Sequence, residues 1–256
     1  MSFREDIMKY LFFILYLLTS TFLFATHSLD LPATIDHIPQ RILQNIKENE
    51  KDFLVDLEDV LKDDVNDLFI LVDKNYRLDN EFVPYELVEL KKGASYDINK
   101  KGLKLTPMAE KALDTMAKVA KKEGVSLLVS STYRTYEYQN NLFTRYTKEY
   151  GEQEADRFSA RPWASQHRLG TVIDFGSISD DYATTKAGKW LNKKAYKYGW
   201  SLSYPKGYEK ITGYKWECWH FRYLGIKACK FQKKYFEDIQ QYMLEFIHYW
   251  KNKKSS

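Results

Sequence analysis

The chain has 256 residues, 44% of them hydrophobic, with a formal net charge of +4; that is enough for one catalytic domain of ordinary size plus additional elements. A mildly basic surface with scattered lysines suits an anionic polymer, and with no nucleic-acid-binding motif beside it the partner is not expected to be nucleic acid. The 20 Tyr, 15 Phe and 6 Trp read as an aromatic core and surface rather than a platform for stacking bases.

Arg4 and Lys9 precede an apolar run from Tyr10 to Ala25, broken only by Thr19, Ser20 and Thr21. A basic start and a segment of this length read as a secretory signal or an uncleaved membrane anchor over residues 1–27, with residues 10–25 as the tether. The three consecutive hydroxyl residues do not give the run the amphipathic face of a buried helix. Cleavage after Ala25 meets Leu23 at the minus-three position, a poor match to a small-x-small site. No Cys near the end of the run provides a lipoprotein anchor. The remainder of the chain is therefore expected outside the cytoplasmic membrane, periplasmic or at the cell surface.

Residues 28–65 read as a linker that becomes helical from about Gln40 to Leu61. Leu68 to Val72 is a short strand candidate. Thr106 is a good N-cap with Pro107 at the first helical position; the helix runs to about Glu123, with Ala112, Met116, Val119 and Ala120 on one face, and Gly124 stops it. Val125 to Val129 reads as a buried strand, with a polar turn over Ser130 to Arg134 at its exit. A helix over Tyr136 to Tyr150 ends at Gly151, and a short one covers Glu152 to Phe158 before Arg161-Pro162. Thr171 to Phe175 is a strand, Thr185 caps a helix running to Tyr198, and Gly199 ends it. Trp200 to Ser203 and Trp219 to Tyr223 are the last strands. Lys230 to Trp250 reads as one amphipathic helix, with Phe231, Tyr235, Ile239, Met243, Phe246 and Trp250 as a stripe that packs on the domain or a partner rather than on lipid.

Helices interleaved with short strands, without regular βαβ units, indicate an α+β fold with helices packed on a small, mainly antiparallel sheet. The expected organisation is a signal or anchor over 1–27, a helical linker over 28–65, a catalytic domain over 66–228 and a C-terminal amphipathic helix over 229–256. The two cysteines, Cys218 and Cys229, would be held apart if an extended strand joins them, so separate thiols are favoured over a disulfide.

Chemistry concentrates in two stretches. One carries Ser165, His167, Gly170 and Asp174; the other carries Trp216, Glu217, Cys218, Trp219 and His220. Two His and one Asp can hold a divalent metal, leaving a coordination position open, with Glu217 as a carboxylate base. Gly170 lets the backbone turn sharply between His167 and Asp174. Glu217 and His220 are three apart and would face opposite sides of an ideal strand, so they can share a site only if Glu217 lies on the entering loop or the strand bends. Trp216 and Trp219 could wall Glu217 off from water and raise its pKa. Arg134, at a strand exit, is a surface charge or a fork of donors for a carboxylate or oxyanion. Hydrogen-bonded core histidines and a turn-capping Asp are the competing reading.

The pattern Ser-x-His-x-x-Gly-x-x-x-Asp over 165–174, Glu-x-Trp-His over 217–220, and Ser-x-Tyr-Arg-x-Tyr-x-x-Gln over 131–139 resembles the VanY-type D-alanyl-D-alanine carboxypeptidases. These are zinc peptidases of the group that includes the VanX dipeptidases and the Hedgehog-like fold, and the likeness extends over about Leu68 to Ile226. It implies one zinc ion on His167, Asp174 and His220, Glu217 as catalytic base, Arg134 on the oxyanion or the peptide carboxylate, and Ser165, Gln139 and Trp219 lining the substrate pocket. The substrate implied is a peptidoglycan stem peptide losing its terminal D-alanine; no protein partner is expected. An L,D-carboxypeptidase, a stem endopeptidase, a non-catalytic wall-binding domain and a tethered scaffold docking a partner through its tail helix are the alternatives. The chain departs from the family pattern at Cys218 (usually Pro or Ala), at Val172 (Ala), which could crowd the metal strand, and at Ser203 (often Arg), which bears on substrate preference.

Overall fold

Strand β5, Val172–Phe175, is buried on both faces along its whole length and forms the middle of a five-stranded sheet. In a computed structural model, which describes Ile35 and residues 38–254, the strand order is β2-β4-β5-β7-β6. Here β2 is Asp97–Ile98, β4 Leu128–Ser131, β6 Trp200–Leu202 and β7 His220–Tyr223. Only the edge pair β2–β4 is parallel; the other three pairings are antiparallel. A separate two-stranded ribbon pairs β1, Val88–Glu89, with β3, Lys104–Leu105. This is the α+β architecture expected from the alternation of elements. The signal or anchor reading of residues 1–27 lies outside the described residues, which form one compact unit.

The period of two sorts the sheet into two chemistries. Val129, Ile173, Phe175 and Phe221 point into one apolar core, shared with Leu113 and Met116 of helix α3 (Pro107–Lys122) and with Trp190 and Leu191 of α6 (Lys186–Lys194). On the other face Ser131, Asp174 and His220 form a row across three adjacent strands, fixed by the register Ser131↔Asp174 and Asp174↔His220; a register shift between Val129 and Ser131 breaks the alternation on β4 and lets Ser131 join that row. Val172 takes its place in the ladder opposite Arg222, so the larger side chain does not displace the strand.

Several elements differ from the sequence reading. The segment Leu68 to Val72 is buried but is not a strand: the Arg222 guanidinium donates to the Leu68 and Ile70 carbonyls, taking the place of a ladder partner. The helix over Gln40–Leu61 is two, α1 (Gln40–Glu48) and α2 (Glu50–Leu61), broken at Asn49, whose side chain bonds the Asn45 carbonyl and so competes with the helical ladder. The strand read over Val125–Val129 lies later, at Leu128–Ser131, because its ladder follows β5 while apolarity marks only burial. Helix α3 buries Ala109, Leu113, Met116, Ala117 and Ala120, a stripe rotated from the expected one, with Ala112 and Val119 at its margin.

Thr185 caps α6 as expected, its hydroxyl accepting from the Gly188 amide, but the α-helix stops at Lys194 and a 3-10 turn, Ala195–Tyr198, completes it. Helices α4 (Tyr136–Tyr150) and α5 (Glu152–Phe158) match their sequence signals. The tail is not one helix but two, α8 (Ile226–Tyr235) and α9 (Gln240–Lys254). Glu237 and Asp238 adopt positive φ between them, and the Gln232 side chain donates to the Asp238 carbonyl across the break. The apolar stripe survives it: Phe231, Tyr235, Ile239, Met243 and Phe246 are buried. Phe53 of α2 meets Phe231, Tyr235, Phe236 and Phe246 with ring centroids 4.9–6.2 Å apart. The tail thus packs on the domain. Short α7, Glu209–Thr212, precedes the loop into β7.

Candidate active site

The central row of the sheet and the 3-10 turn Gln166–Leu169 converge on one point. Gly170 ends that turn with φ +67°, and a Cβ there would stand 2.8 Å from Leu87 Cδ2, so the sharp reversal before β5 needs glycine. The turn buries His167. Its Nδ1 lies 2.7 Å from the Thr132 carbonyl; a carbonyl only accepts, so Nδ1 carries the proton and the Nε2 lone pair faces Asp174 Oδ2 at 3.1 Å. His220 reaches the other oxygen, Nδ1 to Asp174 Oδ1 at 3.1 Å. The ligand atoms of His167, Asp174 and His220 all lie within 4.8 Å of one another.

Glu217 sits on the loop entering β7, the condition under which it can join His220. A tight turn bonds the His220 amide to the Glu217 carbonyl, and Glu217 Oε2 stands 3.2 Å from His220 Nδ1. Trp216 and Trp219 line the same cavity. Arg134 Nη2 donates to Asp174 Oδ2 at 2.7 Å, its Nε and Nη2 donate to Ser131 Oγ, and Nη1 donates to Gln139 Oε1 at 3.2 Å. Gln139 in turn donates to the Ala160 carbonyl, so it clamps Arg134 as well as lining the cavity. Ser165 is buried and also lines it. Arg134 is thus no free surface charge: its side chain is 15% exposed and turned inward.

Burial is the largest single influence on Glu217, His167, His220 and Asp174. It raises the Glu217 carboxyl above its ordinary value, against the opposing pull of His220. Burial lowers His167 to about 4, helped by the Arg134 charge. For His220 burial opposes the charged ring, but bonds to Asp174 and Glu217 outweigh it and raise the pKa to about 9. Burial also opposes the Asp174 carboxylate, and His167, His220 and Arg134 together outweigh it, holding the group well below the usual range.

A nitrogen–oxygen–nitrogen set with a carboxylate beside it is the donor chemistry of a hydrolytic zinc centre. Asp174 Oδ1 is buried and meets His220 Nδ1 at 3.1 Å, an oxygen placed to share a cation with the imidazoles. Each imidazole also has an outer acceptor: Thr132 O for His167 and Gln166 Oε1 for His220, the arrangement that fixes tautomers in metal sites. Cys218, the alternative ligand, points its sulfur at the Ser179 and Asp180 carbonyls and is not in the cluster. Both cysteines are free and buried.

The cavity over the cluster measures about 510 Å³. Tyr146, Tyr150 and Phe158 form one wall, Phe158 in edge contact with both tyrosine rings. Sequence reasoning missed Gln166, Ser131, Thr132 and Tyr204. Gln166 had a signal, since it lies between Ser165 and His167; Thr132 contributes a backbone oxygen and had none. Tyr204, its ring 4.7 Å from that of His220, directly follows the strand read over Trp200 to Ser203. Ser203, read as bearing on substrate preference, is buried and bonded to Gln166.

Known proteins are similar to this chain in sequence and fold. The family described as VanY, D-alanyl-D-alanine carboxypeptidase, matches residues 102–226. YodJ of Bacillus subtilis (strain 168), assigned as a carboxypeptidase, is 34% identical over 187 residues, covering 68% of this chain and 68% of that protein. The LdcB LD-carboxypeptidase, whose structure concerns peptidoglycan recognition, superposes with a TM-score of 0.61 and 32% identity over 68% of this chain and 87% of that one. A glutamate-to-alanine mutant of the vancomycin-resistance D,D-pentapeptidase VanY, in complex with Zn(II), gives a TM-score of 0.57 and 26% identity over 69% of this chain and 97% of that one.

Proposed function

The chain belongs to the VanY family of D-alanyl-D-alanine carboxypeptidases, and from that premise we propose that it is a zinc carboxypeptidase removing the terminal D-alanine from peptidoglycan stem peptides. The observation that carries this reading is the convergence of His167, Asp174 and His220 within 4.8 Å, with Glu217 3.2 Å from His220 Nδ1, beneath a cavity of peptide size.

His167 Nε2, Asp174 and His220 Nδ1 would hold the ion, and zinc bound there supplies Lewis acidity towards a water and a peptide carbonyl. Glu217, desolvated and basic for a carboxylate, takes the proton of the attacking water as the new C–O bond forms. It returns that proton to the leaving amine as the C–N bond breaks, so acid and free D-alanine leave without a covalent enzyme intermediate. Arg134, clamped by Ser131 and Gln139, offers donors to the oxyanion or to the substrate's carboxylate. Ser165, Gln139 and Trp219 line the pocket that receives the stem. The basic start and the apolar run from Tyr10 to Ala25 support an exported enzyme, periplasmic or surface-exposed and tethered or released.

The likeness to LdcB favours a second reading with the same machinery, cleavage at the L,D bond of a tetrapeptide stem. The purified full chain should release D-alanine from a pentapeptide stem in a zinc-dependent, Glu217-dependent way. Release only from a tetrapeptide would keep the chemistry and assign the L,D bond. Zinc binding without release from either would point to an endopeptidase or a silent wall-binding domain.

A further inference from the structure

Gln166 is buried beneath the site, and its Oε1 lies 3.3 Å from His220 Nε2 while accepting from Ser203 Oγ at 2.8 Å. A carbonyl oxygen only accepts, so this contact requires the Nε2 proton and reserves His220 Nδ1 for the side facing Asp174. Ser203, the residue after β6, shares its proton with Gln240 Oε1 at 3.3 Å. Gln240 opens α9 and donates from Nε2 to the Ser201 carbonyl. All four side chains, His220, Gln166, Ser203 and Gln240, are buried. Ser203 is not among the residues lining the cavity, so its role is not contact with substrate.

We propose that Gln166 is the positioning residue for His220, and that Ser203, seated against Gln240 of the tail, holds Gln166 in place. The tail helix then reaches the metal-binding imidazole through a short line of hydrogen-bonded side chains. An outer acceptor fixes an imidazole's tautomer and ring direction, and an acceptor already engaged by a second donor cannot swing away to another partner. The inference deepens the metal-site reading and rests on it.

The fold provides an internal control. Ser201 Oγ donates to Gln232 Oε1 at 2.9 Å, and Gln232 Nε2 donates to the Asp238 carbonyl at 2.8 Å. This second link also ties β6 to the tail, and none of its bonds leads to His220. The test is to prepare the full chain as wild type, Ser203→Ala, Gln166→Met and Gln232→Met. For each, the zinc dissociation constant is measured by competition with a chromophoric chelator, together with the visible spectrum of the Co(II)-loaded protein and the melting temperature. Ser203→Ala should weaken zinc binding about tenfold and Gln166→Met up to about 100-fold, both with displaced Co(II) bands. Gln232→Met should lower the melting temperature as Ser203→Ala does, with zinc affinity and Co(II) bands unchanged. Wild-type zinc affinity and spectra in both Ser203→Ala and Gln166→Met, or an equal loss of affinity in Gln232→Met, would overturn the proposal. Absence of zinc binding in the wild type would instead remove the metal-site reading, and this inference with it.

Discussion

Asp174 and His220 lie directly opposite each other on adjacent antiparallel strands, and their side chains meet at 3.1 Å. Opposed residues in such a pair have Cβ atoms about 4.5–5.5 Å apart, so the carboxylate and the imidazole are brought together by the sheet itself. His167 joins them from a turn ended by Gly170. Only Glu217 depends on an irregular loop, and that loop is tied by its amide to the Tyr204 carbonyl and by its carbonyl to the His220 amide.

Replacing Glu217 by Gln keeps the shape of the loop and removes the proton acceptor. The kcat on a stem peptide should fall by roughly 10²–10⁴, with zinc still bound one ion per chain. Parallel measurement of turnover and zinc content checks this; loss of zinc along with activity would assign Glu217 to holding the metal rather than the proton.

The pH dependence of metal binding follows from His220. Without metal, burial is outweighed by Asp174 and Glu217, and the ring keeps its proton up to about pH 9. Zinc must displace the Nδ1 proton. Affinity should therefore climb about tenfold per pH unit up to about 9 and flatten above it. The folded pKa lies above the ordinary 6.5, so the stability contributed by the charged ring is complete below 6.5 and is lost as pH rises through 9. The metal-free protein should lose melting temperature over that interval and the zinc-loaded protein should keep it. Zinc titrations and melting curves from pH 6 to 10 test both statements, and an affinity independent of pH would contradict them.

Gly170→Ala places a side chain where φ is +67° and Leu87 Cδ2 would be 2.8 Å away. Leu87 can yield at its tip, but the left-handed backbone cannot be relieved, at about 1–2 kcal/mol. The expected result is a melting temperature several degrees lower, together with weaker zinc binding, because His167 shares the strained turn. Unchanged melting would show that the turn has another conformation open to it.

Phe53→Ala removes a fully buried ring from among four aromatic residues of the tail. A loss of about 3–5 kcal/mol is expected for such a truncation, read as a lower urea midpoint. If α8 and α9 rest mainly on other contacts, the midpoint will scarcely move.

What was legible in the sequence is what local chemistry encodes. Caps and stops placed α3, α4 and α5 because Pro107, Gly124 and Gly151 act on the backbone beside them. The grouping of His167, Asp174, Glu217 and His220 was legible because the reaction demands those donor types and they fall in two short stretches. The tail stripe was legible too, because apolar side chains every three or four residues must find cover, even across a break.

The rest depended on partners distant in the chain. Leu68 to Val72 reads as a strand until Arg222, more than 150 residues later, takes its carbonyls. The strand at Leu128–Ser131 shifted because the ladder answers to β5. Gln166 and Ser203, 37 residues apart, have no shared pattern that periodicity could reveal. The sequence by itself determined which groups would do the chemistry, through residue type, spacing and local backbone preference. The tertiary structure alone decided which atoms face one another, because register and buried hydrogen bonds are settled between segments that only folding brings together.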